Sequence, residues 1–78
     1  MNVNEALAWI ADLFEESVEN IQPDTHRDSI DAWDSLGVLS LMAELDERFD
    51  ILLEDEEFQE IRTVNNILEV LREHGKLN

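Results

Sequence analysis

A shortage of turn-forming residues constrains this chain more than anything else in it. Its 78 residues include two glycines, Gly37 and Gly75, and a single proline, Pro23. An all-β fold of this size needs a turn roughly every 8–12 residues, and those turns draw heavily on Gly and Pro. That supply is missing, so helices are expected. The chain is near the lower size limit for one hydrophobic core, and its 44% apolar content is enough to build one. The reading is therefore all-α, with residues 1–78 as a single domain.

Apolar spacing divides the chain into helices. Val3, Leu7, Ile10, Phe14 and Val18 form one stripe flanked by Ala6 and Leu13, predicting a first helix from Val3 to about Val18. Glu5, Asp12, Glu15, Glu16 and Glu19 fall opposite, and Trp9 sits at the stripe edge as a packing residue. From Glu19 to Asp34 the period fades into a long loop, pinned to the core by Ile21, Ile30 and Trp33. A second helix is expected from Asp34-Ser35 to about Asp50, since Asp and Ser both cap orphan N–H groups. Ile51-Leu52-Leu53 reads as a linker. Glu54 to Glu57 opens a brief helix through Ile61 that buries Phe58 and Ile61. Thr63 caps a last helix with the stripe Val64, Ile67, Leu68 and Leu71, and Gly75 terminates it.

The second helix has two apolar faces. At about 100° per residue, Val38, Leu41, Met42, Leu45 and Phe49 form the core stripe, while Leu36, Leu39 and Ala43 cluster on the other side. Glu44, Asp46, Glu47 and Asp50 surround that second patch. An apolar patch ringed by acids suits docking, with apolar contact for affinity and charge for steering. Single exposed leucines are also ordinary, so geometry alone leaves docking and plain surface about evenly matched.

Charge narrows the partners. Twenty Asp and Glu against five Lys and Arg give a formal net charge of -15 and a sequence pI near 4.1. Such a chain repels nucleic acid and anionic membranes and associates fastest with basic surfaces. There is no cysteine, which excludes disulfides and zinc–thiolate sites, so thiol chemistry would need a thiol delivered on a cofactor. Met1-Asn2-Val3-Asn4-Glu5 has neither a basic nor a continuous apolar leader pattern, and no apolar run reaches spanning length. A cytoplasmic monomer without membrane insertion is expected.

Asp34-Ser35-Leu36, opening an acidic helix after a long loop, resembles the attachment site of acyl carrier proteins. Leu41-Met42-Ala43-Glu44-Leu45-Asp46-Glu47-Arg48-Phe49 is similar to that family's acidic second helix, and Glu54-Asp55-Glu56-Glu57 and Thr63-Val64 sit where it has its short helix and the following cap. The likeness covers nearly the whole chain. It implies a four-helix bundle of the acyl carrier type, with three longer helices and a short third. It further implies covalent 4'-phosphopantetheine on Ser35, carrying an acyl or aminoacyl group as a thioester. Asp34 and Leu36 would contact a phosphopantetheinyl transferase. Leu39 and Ala43 would be apolar docking contacts, with Glu44, Asp46 and Glu47 facing basic surfaces on a loading ligase and on downstream synthases or transferases. Two positions depart from the pattern: Gly37 and Ser40 stand where fatty-acid carriers tend to have acids. Gly37 inside a helix is expected to cost about 1 kcal/mol against alanine. The Trp33-Asp34-Ser35-Leu36 form is similar to discrete carriers of specialised pathways.

Other classes fit less well. An EF-hand needs a glycine at the sixth loop position and a glutamate at the twelfth. Placing Gly37 sixth puts Ala32 first and Ala43 last, and starting at Asp24 puts Ser29 sixth and Ser35 last. His26 and His74 belong to no recognisable triad or metal motif, so neither catalytic nor metal residues are expected. The remaining alternative is an acidic helical interaction module without a prosthetic group, in which Ser35 is only a cap.

Overall fold

The computed structural model describes all 78 residues and contains four α-helices and no strand: α1 Val3–Leu13, α2 Ser35–Phe49, α3 Asp55–Gln59 and α4 Val64–Glu73. Seventeen buried apolar side chains, drawn from the helices and the connections between them, form one continuous core. The all-α bundle with a short third helix is the architecture that the sequence pattern implies.

The first helix is shorter than its apolar stripe suggests. It stops at Leu13, with Phe14 as its C-cap and Glu15 in the left-handed region at φ 56°. Glu15 N–H then donates to the Asp12 carbonyl at 3.2 Å and Glu16 N–H to the Ala11 carbonyl at 2.8 Å. This reversal satisfies the last carbonyls and closes the helix. Val18, expected on the stripe, instead lies 51% exposed in a 3-10 turn, Val18–Asn20. Trp9 is buried within the core rather than at its edge, while Val3, Leu7 and Leu13 are half-buried. The same closure ends α4 through Gly75 at φ 72°, with Gly75 N–H to the Arg72 carbonyl and Lys76 N–H to that of Leu71. Asp50, at φ 56°, plays that part after α2, where Ile51 N–H reaches the Leu45 carbonyl.

The long connection from α1 to α2 is tied down along its length. Ile21, Ile30 and Trp33 are buried in the core, as their apolar character requires. A second 3-10 turn, Arg27–Ser29, lies between them. Carbonyls of Pro23 and Thr25 accept from the N–H groups of Asn65 and Val64, and Arg27 N–H donates to the Arg62 carbonyl at 2.8 Å. These bonds fill the orphan donors at the start of α4 and fix the loop against the α3–α4 junction. Thr63 completes that cap in a reciprocal pair with Asn66. In α3, Phe58 is only half-buried, whereas Ile61 just beyond the helix is fully within the core.

Candidate functional site

Packing beneath the start of α2 fixes where Ser35 stands. Trp33 stacks on Phe14 with ring centroids 4.9 Å apart and planes 14° off parallel, which anchors the chain two residues upstream. Asp34 then caps the helix, its Oδ1 accepting from Gly37 N–H at 3.0 Å. Gly37 is buried, and a Cβ added there would run into the Ala32 carbonyl oxygen and lie 3.3 Å from Phe14 Cε1. A glycine here is therefore a packing requirement. The expected propensity cost of Gly37 is outweighed by the close approach of loop to helix that it permits.

Ser35 is the first residue of α2 and is exposed, with no hydrogen bond holding its hydroxyl. Asp34 Oδ1 takes the Gly37 N–H and the Asp34 carbonyl takes the Val38 N–H at 2.9 Å, which leaves the N–H groups of Ser35 and Leu36 unpaired. Two free donors at the positive end of a 15-residue helix suit a phosphate ester on the adjacent hydroxyl. The Asp34 carboxylate opposes an anion there, and its bond to Gly37 N–H accounts for its presence. Among the chain's other serines, Ser17 stands just before a 3-10 turn, Ser29 ends one and Ser40 lies within α2, so none of them opens an α-helix.

Downstream of Ser35, α2 presents one continuous exposed face. Leu36 is 73% and Leu39 59% exposed, and Ala43, Asp46, Glu47 and Asp50 are exposed along the same side. On the inner side Gly37, Leu41 and Leu45 are buried, with Val38, Met42 and Phe49 half-buried at the flanks. Glu44 departs from the other acids. It is half-buried and accepts a hydrogen bond from Trp9 Nε1–H at 3.0 Å, tying α2 to α1. Trp9 also meets Phe49 edge-on at 5.1 Å. A bond spanning 35 residues carries no local signal, so sequence reasoning missed this role for Glu44.

Two surface grooves flank these elements. One, of about 160 Å³ between α3 and α4, is walled by Glu57, Glu60, Glu69 and Glu73, whose charge repels a phosphate. The other, of about 270 Å³, opens beside Ser35 and is bounded by Asp34 and Leu36 on either side of it. No helix is long and apolar enough to cross a membrane. A family model described as a phosphopantetheine attachment site matches residues 6–71. Comparison with curated proteins finds no match.

Proposed function

Since the chain belongs to the phosphopantetheine attachment-site family, whose members are carriers of covalently attached 4'-phosphopantetheine, we propose that Ser35 is its attachment residue and that the cargo is an acyl or aminoacyl thioester. The observation that carries this reading is the open start of α2, where an exposed hydroxyl stands beside the unpaired N–H groups of Ser35 and Leu36. When bound, the group supplies the thiol that this cysteine-free chain lacks.

The protein's own residues hold and present that group. Asp34 fixes the first turn, Trp33 and Phe14 brace the approach, and Gly37 lets the loop seat closely enough to set the Ser35 direction. A tethered cargo meets each docked enzyme at a raised effective concentration, so docking replaces catalysis as the protein's task. Leu36, Leu39 and Ala43 supply the apolar contact, and Asp46 and Glu47 the steering toward basic surfaces on the transferase, a loading ligase and later synthases. The acidic module without a prosthetic group is the competing account. Incubation with coenzyme A and a phosphopantetheinyl transferase, followed by fragment-ion mapping, separates the two. The added group should map to Ser35, and its appearance on Ser17, Ser29 or Ser40 would refute the assignment.

A further inference from the structure

Aromatic rings fill the interior of this bundle. Both tryptophans and all three phenylalanines lie in the core or pack against it. Beneath the start of α2, Trp33 and Phe14 stack with ring centroids 4.9 Å apart. Between α1 and α2, Trp9 meets Phe49 edge-on at 5.1 Å and donates its indole N–H to Glu44 at 3.0 Å. From α3, Phe58 packs against the same core, and Leu41 and Leu45 on the inner side of α2 are closed to solvent. The radius of gyration, 11.2 Å, is slightly below the ~11.5 Å typical of a domain of this length. Both cavities of the structure are surface grooves edged with carboxylates. The one between α3 and α4 is walled by four glutamates, Glu57, Glu60, Glu69 and Glu73. The one beside Ser35 sets Leu13, Ala32 and Leu36 against Glu15 and Asp34. Gly37 lies in its lining, and there loop and helix approach too closely to admit even a methyl group, so the groove does not lead into the core.

We propose, on the reading that Ser35 carries the phosphopantetheine arm, that the cargo is a short acyl or aminoacyl group that stays in solvent, and that the bundle excludes a long aliphatic chain. To admit such a chain, Trp33 would have to part from Phe14, or Trp9 from both Phe49 and Glu44. Parting the first pair removes the brace that sets the Ser35 direction. Parting the second breaks the side-chain bond between α1 and α2 and leaves the half-buried Glu44 carboxylate without its indole donor. Close-packed interiors do not absorb added methylenes without displacing side chains. In either surface groove the chain would meet carboxylates that require water. A small group bearing a hydroxyl or an ammonium is well hydrated and gains nothing from shelter inside the protein. Partner enzymes then take the thioester directly from solvent, with no chain to draw out of the carrier, and the choice among short cargoes rests with them.

The test places a chain-length series on Ser35. A phosphopantetheinyl transferase that accepts acyl-coenzyme A moves the acyl-phosphopantetheine onto the Ser35 hydroxyl and releases adenosine 3',5'-bisphosphate. Acetyl, hexanoyl and decanoyl forms are compared with the free-thiol form, each confirmed by intact mass. A chain buried in the folded state and released on unfolding adds stability with every methylene. The expected result is therefore one Tm across the series, with no nuclear Overhauser contact from the decanoyl terminal methyl to Leu41, Leu45 or Leu68. A Tm that climbs from acetyl to decanoyl overturns the proposal, and so do terminal-methyl contacts to those core side chains. Either result on a modified Ser35 leaves the attachment reading standing and removes only the assignment of the cargo. A Ser35 that accepts no arm refutes the attachment reading itself, and the inference falls with it.

Discussion

Adding one methyl group at Gly37 distinguishes a tertiary requirement from a local preference. On helix propensity alone, Gly37→Ala should stabilise α2 by about 1 kcal/mol. The structure reverses the sign. The new Cβ would collide with the Ala32 carbonyl oxygen, lie 3.0 Å from that carbonyl carbon and crowd Phe14 at 3.3 Å. Two of the three obstacles are backbone atoms, which cannot swing aside like the end of a flexible side chain. Overpacking costs roughly 1–3 kcal/mol, and the upper part of that range applies where backbone must move. Offset by the propensity gain, a net loss of about 1–2 kcal/mol is expected, or a fall in Tm of roughly 5–15 °C for a domain of this size. Thermal unfolding followed by circular dichroism at 222 nm measures it directly, with a urea midpoint as a second readout. A Gly37→Ala protein as stable as the parent, or more so, would refute the packing argument. Gly75→Ala is the contrasting control. No atom lies within 4 Å of its added Cβ, so its loss of about 1 kcal/mol comes only from the left-handed backbone.

Further outcomes follow from other parts of the fold. Glu15→Gly and Asp50→Gly relieve left-handed strain at two helix ends and should each raise stability by about 1 kcal/mol in a urea titration. Trp9→Phe keeps an aromatic ring against Phe49 but removes the bond to Glu44, and should cost about 1 kcal/mol. Glu44→Gln retains an acceptor and should cost less than Glu44→Ala in the same titration. The only Lys or Arg within 4 Å of a carboxylate is Arg48, beside Glu44 at 3.9 Å, so the carboxylates behind the net charge of -15 have almost no local ion pairing. Raising sodium chloride from about 10 to 150 mM shortens the screening length from roughly 30 to 8 Å and should raise Tm, and a salt-independent Tm would contradict this.

Some of this fold was legible in the sequence because certain residue types have one local meaning. Thr63 at the start and Gly75 at the end bound α4 closely, and the Asp34-Ser35 pair brackets the start of α2, with Asp34 its cap and Ser35 its first residue. The wheel separating Leu36, Leu39 and Ala43 from Leu41 and Leu45 survives in the folded helix. The end of α1 is hidden in the sequence because its left-handed residue is Glu15 rather than glycine, and the apolar spacing continues to Val18. The structural roles of Gly37 and Glu44 are hidden in the sequence for a related reason. What each does depends on a partner brought near by folding, Ala32 for one and Trp9 for the other. Local pattern reports propensity and periodicity, whereas close approach and long-range bonds exist only in the packed molecule.

The central claim is that Ser35 carries the prosthetic group, and intact mass after co-expression with a broad-specificity phosphopantetheinyl transferase tests it most directly. The parent should gain the mass of one phosphopantetheine, and Ser35→Ala, folded and helical by circular dichroism, should gain none. An unmodified parent, with the transferase shown active on another carrier, would contradict the account.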